Sequence, residues 1–143
     1  MSLTKPAFSA YRILVVDDQI EMLALLRRML GQLGFTAIET AENVPDALSL
    51  MARVKFHLLL TDYNMQGNTG LELVRRARAE NSAWRTRPDV PIVMITGHGE
   101  REYVLAAREA GVSAFLVKPV SKAQLEEKVT AVLARVPPPV GSV

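Results

Sequence analysis

Four short apolar runs in this chain each end abruptly at a polar group. Ile13-Leu14-Val15-Val16 stops at Asp17-Asp18, Leu58-Leu59-Leu60-Thr61 at Asp62, Ile92-Val93-Met94-Ile95 at Thr96, and Ala114-Phe115-Leu116-Val117 at Lys118-Pro119. A strand with one wet face alternates apolar and polar residues. Runs without alternation are buried on both faces, as in a parallel sheet covered by helices. Segments of helical period separate them, and the alternation reads as repeated βα units with right-handed crossovers. In such open sheets ligands bind outside the carboxyl ends of the strands. Three acids, a hydroxyl and a lysine are therefore expected at one edge.

The helical segments carry their own punctuation. The first is expected from about Gln19 to Leu33, with Met22, Leu25, Leu26, Met29 and Leu33 facing the core and Gly34 ending it. A weaker strand follows at Thr36–Thr40. Asn43 is placed to cap a helix opened by Pro45, with Ala47, Leu48 and Met51 inward. After a strand at Phe56–Thr61 and a turn holding Gly67, a third helix starts near Gly70 and turns Leu71, Val74 and Ala77 inward. A polar connector from Asn81 to Asp89 surrounds Trp84. A fourth helix spans Arg101 to Ala110 and stops at Gly111, and Ser121 can cap a fifth that buries Leu125, Val129, Val132 and Leu133. The expected organisation is an N-terminal extension (1–10), one α/β domain (11–136) and a flexible Pro-rich tail (137–143).

Composition narrows the function. A length of 143 residues suits one domain. A net charge of +2 is too small to point to nucleic acid. The chain has no cysteine, which excludes disulfides and thiolate metal sites. It shows neither a secretory apolar region nor a bilayer-spanning stretch, so the expected location is the cytoplasm and no membrane partner is expected.

Asp17, Asp18 and Asp62 in one pocket repel each other, at about 4 kcal/mol for a pair about 4 Å apart at an effective dielectric near 20. A hard divalent cation offsets this, and Mg²⁺, which accepts carboxylates, waters and phosphate oxygens, suits the donor set. Without cysteine or a close histidine pair, Zn²⁺ does not. Lys118 adds a positive charge and Thr96 a hydroxyl donor. Metal and ammonium converging on a carboxylate form a seat for a phosphoryl group in transfer, and an aspartate at a strand end can be the nucleophile.

Val15-Val16-Asp17-Asp18, Thr61-Asp62-Tyr63-Asn64-Met65, Ile95-Thr96-Gly97-His98-Gly99 and Phe115-Leu116-Val117-Lys118-Pro119 come in one order. Together they resemble the receiver domain of bacterial two-component response regulators, in particular the single-domain chemotaxis type, over Arg12 to Val136. The resemblance implies a doubly wound, five-stranded parallel sheet flanked by five helices, flavodoxin-like, with strand order 2-1-3-4-5. It implies Asp62 as phosphoacceptor and Mg²⁺ held by Asp17, Asp18, Asp62 and the backbone carbonyl of Asn64, with Asp18 the more direct ligand of the pair. Lys118 would contact the phosphoryl group, Thr96 and Phe115 would form the switch pair, and Lys118–Pro119 would be a cis bond. The implied partners are a histidine kinase or histidine phosphotransfer protein and a downstream protein target, with the receiver a monomer or a phosphorylation-dependent dimer. The implied role is a signalling domain that assists its own phosphorylation and dephosphorylation rather than an enzyme.

Three positions depart from the family pattern. Gln66 stands where a proline is usual, Phe115 lacks a tyrosine hydroxyl, and the connector around Trp84 is long. His98 holds a position that tunes loss of the phosphoryl group in this family. His57 reads as a strand-edge residue. Arg75, Arg76, Arg78, Arg85 and Arg87 read as a solvated face rather than a nucleic-acid patch. Ile20, Leu23 and Leu30 exceed what one core stripe needs and are candidate contacts for the phosphodonor. On the output face formed by the fourth helix, last strand and fifth helix, the candidates are Tyr103, Ala107 and Phe115. Two other functions stay open on the residues alone. One is a metal-dependent phosphohydrolase with an aspartate nucleophile, although Asp62-Tyr63-Asn64 lacks the second acid of an Asp-x-Asp pair. The other is the input half of a DNA-binding regulator.

Overall fold

In the computed structural model, which describes residues 8–65, 67–79, 83–136 and 139, the apolar runs pair side by side. β1 (Arg12–Val16), β2 (Ala37–Ala41), β3 (Leu58–Thr61), β4 (Ile92–Thr96) and β5 (Ala114–Val117) form one sheet in the order β2-β1-β3-β4-β5. Every pair is parallel, with Val16 opposite Thr61 and Thr96 opposite Val117. The crossovers are α1 (Ile20–Leu33), α2 (Val44–Arg53), α3 (Gly70–Arg78) and α4 (Arg101–Ala110), and α5 (Lys122–Leu133) closes the fold. The expected architecture is present. A small antiparallel hairpin, Asn64–Met65 with Asn68–Thr69, stands outside the sheet where the sequence suggested only a turn.

Two cores explain why the strands lack alternation. Ile13, Val15, Leu58, Leu60, Val93 and Ile95 pack under α1 and α5. Their neighbours Leu14, Val16, Leu59, Ile92 and Met94 pack on the other face under α2, α3 and α4. Each such side chain contributes about 1.5–3 kcal/mol by leaving water. Among the described residues no buried side-chain polar atom lacks a partner.

The helix ends follow local chemistry. Asn43 Oδ1 accepts from the Asp46 N–H at 2.8 Å, with Pro45 in the first turn. Thr69 caps α3 through the Glu72 N–H, and Ser121 with Gln124 forms a reciprocal capping box on α5. Gly34 and Gly111 end α1 and α4 at φ 114° and 111°, which a residue with a Cβ adopts only with strain.

Several readings need correction. α1 turns Leu23, Leu26 and Leu30 fully inward, so Leu23 and Leu30 are core and not partner contacts. Leu25, expected inside, is 38% exposed, and Ile20 is 64% exposed. Met22, Met29 and Leu33 pack at the margin of the core. Ala107 is 1% exposed and cannot meet a partner. Arg78 is no solvated charge: its guanidinium is part-buried and donates to the carbonyls of Gly111, Pro88 and Val90, tying α3 to the connector and to the end of α4. Burial pushes its pKa down from the usual arginine value. Residues 1–7 of the expected N-terminal extension, Gln66, residues 80–82 at the start of the connector and nearly all of the 137–143 tail lie outside the described residues. No helix of the described residues is long and apolar enough to cross a membrane.

Candidate functional site

β1 and β3 lie side by side and end together, and this sets the spacing of the acids. The Asp62 N–H donates to the Val16 carbonyl at 3.1 Å, and the Asp17 N–H to the Ala41 carbonyl at 3.1 Å, so both residues continue the ladder past the last strand residue. The carboxylates of Asp17, Asp18 and Asp62 each present an oxygen within 4.8 Å of the others. Asp17 and Asp62 are buried and Asp18 is half-buried. Lys118, just beyond β5, sends its Nζ between two of them, 3.2 Å from Asp17 Oδ2 and 3.4 Å from Asp62 Oδ2. The chain is held there by the Lys118 N–H, which donates to the Thr96 carbonyl at 2.8 Å, and the Lys118–Pro119 bond is cis.

Burial dominates at Asp17 and raises its pKa. The Gln19 N–H on Oδ1, at 2.9 Å, and the Lys118 ammonium oppose the rise, while the Asp62 charge adds to it. The pocket thus holds three carboxylates against one ammonium. Its donors are all oxygens, which fits a hard divalent ion and not a soft one.

The expected site residues fall into two groups. Asp17, Asp18, Asp62 and Lys118 meet. Thr96 ends the neighbouring strand, buried, with Oγ1 accepting from the His98 N–H at 3.3 Å. Phe115 is half-buried against the core under α4 and lies on the same face of β5 as Val117, the partner of Thr96. Asn64 opens the hairpin two residues past Asp62.

Three features escaped the sequence reading. A Cβ at Gly70 would collide with the Asp62 carbonyl oxygen, and the Gly70 N–H donates to the Tyr63 carbonyl at 2.6 Å. The hairpin therefore folds directly onto the Asp62 backbone. A glycine opening a helix gives no local sign of that contact. Beside the pocket, His98 stacks on Tyr103 with centroids 4.7 Å apart, and Tyr63 meets Tyr103 edge-on at 4.8 Å. Gly99 lies so close to Val117 that a Cβ would stand 2.7 Å from a Val117 methyl carbon. In contrast, His57 is a strand-edge residue as expected, with Nδ1 accepting from the Arg12 N–H at 2.8 Å.

Residues 13–130 match the family described as Response regulator receiver domain. The chain belongs to that family. Like the chemotaxis protein CheY of Pseudomonas aeruginosa, with which it is 34% identical over 125 residues, the receiver spans nearly all of its relative: the match covers 87% of this chain and 98% of that protein. CheY-3 of Vibrio cholerae is 33% identical over 124 residues, covering 87% of this chain and 92% of that protein. Among solved structures, Vibrio cholerae CheY4 superposes with a TM-score of 0.76 at 28% identity, over 85% of the receiver and 98% of that chain. A CheY-like receiver domain protein of Methanospirillum hungatei gives 0.76 at 29% identity, over 88% and 95%. The family match thus runs from β1 into α5.

Proposed function

We propose that the receiver is the phosphoacceptor switch of a two-component phosphorelay, with Asp62 as acceptor. The observation that carries this is the Lys118 ammonium set between Asp17 and Asp62 in a three-carboxylate pocket. Asp62 Oδ1 is occupied by the Tyr63 N–H at 2.7 Å, whereas Oδ2 faces Lys118. A carboxylate oxygen of Asp62 attacks the phosphorus of a phosphohistidine in line. The new O–P bond forms as the P–N bond breaks, and the donor, protonated on its other ring nitrogen, leaves as neutral imidazole. Lys118 neutralises charge on the transferred group. Asp17, Asp18, Asp62 and the Asn64 carbonyl would hold Mg²⁺, which when bound supplies the second cation for the phosphoryl oxygens.

The signal passes through Thr96 and Phe115. Drawing the Thr96 hydroxyl toward a phosphoryl oxygen takes it from the His98 N–H and empties space that Phe115 can enter, a two-state element biased by one covalent change. The phosphodonor docks on α1 through Ile20 and Leu25. The output face presents Tyr103 and Phe115 together with Leu105 and Val117, which are 42% and 45% exposed.

Intact mass after incubation with acetyl phosphate and Mg²⁺ tests the reading. One added phosphoryl group is expected, lost in Asp62→Asn and on chelation. A folded protein that gains no mass, or that gains it equally with Asn at position 62, defeats the proposal.

A further inference from the structure

At the opposite pole, where the strands begin, lies a cavity of about 310 Å³. That is near the lower limit of the ~300–1,000 Å³ common for small-molecule sites. Its apolar wall is made by Tyr11, Phe56 and Val90, the residues leading into β1, β3 and β4, with Val136 beyond α5. The first three are buried and held in place by the core, and Pro91 and Pro139 complete the apolar lining.

The polar lining carries more donors than acceptors. Lys55, His57 and Arg87 contribute cations and donors, and the carboxylate that lines the cavity, Asp89, is paired with Arg87 at 3.2 Å. Burial, then the Lys55 and Arg12 charges, hold the His57 imidazole below its usual pKa. Since Nδ1 accepts the Arg12 N–H, the neutral ring carries its proton on Nε2 and has a donor to offer. An apolar wall with a cationic, donor-rich rim complements an anion with an apolar body.

We propose that this cavity binds a small organic carboxylate with an aromatic or branched apolar body. The site is independent of the acidic pocket. The five residues of β1 separate the two ends by about 16 Å at 3.3 Å per residue. The charge there would also repel the same ligand.

Titration of the ¹⁵N-labelled full chain with benzoate, followed by amide chemical shifts, tests this, with benzamide and inorganic phosphate in parallel. Saturable shifts are expected at residues 55–57, 87, 89 and 90, with 17, 18 and 62 unmoved. Benzamide and phosphate should each bind at least about tenfold more weakly, because each lacks one half of the complementarity. The double variant Lys55→Gln/Arg87→Gln should keep the spectrum of the fold, since both side chains are exposed, and weaken benzoate by a similar factor. Shifts that fail to saturate, that centre on the acidic pocket, or that benzamide or phosphate reproduces at equal concentration would overturn the proposal.

Discussion

At their carboxyl ends β1 and β3 deliver Asp17, Asp18 and Asp62 into a pocket with one ammonium. At their amino ends the same strands begin among Arg12, Lys55 and His57. Both ends concentrate like charge because the strand interiors admit none. They relieve it by different means. The amino end keeps its cations largely in water, leaves His57 neutral and pairs Arg87 with Asp89. The carboxyl end buries two of its three acids and imports one cation from distant sequence. Repulsion next to water costs little, whereas repulsion in a buried pocket persists until a ligand cancels it. The contrast leaves the carboxyl end as the one with a buried charge imbalance that a bound cation would relieve.

The largest expected effect comes from removing the single cation of the carboxyl end. Lys118→Met should slow phosphorylation by acetyl phosphate by about 10²–10³, the range for loss of one preorganised electrostatic group. The same change at Lys55 should leave that rate unaltered, and intact-mass time courses compare the two. Next in size is the packing beneath the acids. Gly70→Ala, forced against the Asp62 carbonyl, should cost about 3 kcal/mol or more in urea denaturation. Gly31→Ala, in the last turn of α1 with nothing within 4 Å of the added Cβ, should gain about 0.5–1 kcal/mol.

A smaller change is expected from charge alone. Asp17→Asn keeps an acceptor for the Gln19 N–H and removes a buried charge. The Mg²⁺-free protein should then melt a few degrees higher at pH 7 while losing Mg²⁺ affinity. The smallest effect separates the poles by pH. The folded pKa of Asp17 is raised, so its contribution to stability is full below the unfolded value of 3.8 and is lost as pH rises through the folded value. The folded pKa of His57 is lowered from 6.5, so its contribution is present above that value and lost as pH falls through the folded one. His57→Gln should therefore lose less stability than wild type between pH 7 and pH 5. An equal loss in both would remove His57 from the comparison.

Much of this was legible in the sequence because strand ends turn order into position. Asp17, Asp62, Thr96 and Lys118 each terminate an apolar run, and a parallel sheet brings those termini to one edge. The caps were legible for the same local reason, with Asn43 and Ser121 acting within one turn. The inward face of α1 was legible only in part: Leu26 is buried as expected, but Leu25 is exposed and Leu23 and Leu30 lie inside. Met22, Leu25, Met29 and Leu23, Leu26, Leu30 are two apolar stripes at helical spacing, and a small rotation about the helix axis decides which one is buried. Arg78 was illegible for a different reason. Its partners are three carbonyls, at Pro88, Val90 and Gly111, and backbone acceptors leave no trace in the identity of the residues that carry them.

The position of Lys118 has a consequence for how the protein is made. It lies 101 residues after Asp17 and 56 after Asp62. A ribosome therefore releases all three acids, and most of the sheet, well before the charge that reconciles them. Until β5 docks, the growing chain can bury the sheet face under α2, α3 and α4 but must leave that edge open to water. The carboxyl edge thus closes only with the last strand and helix of the receiver, and a chain cut short of residue 118 would carry Asp17 and Asp62 without the ammonium that bridges them.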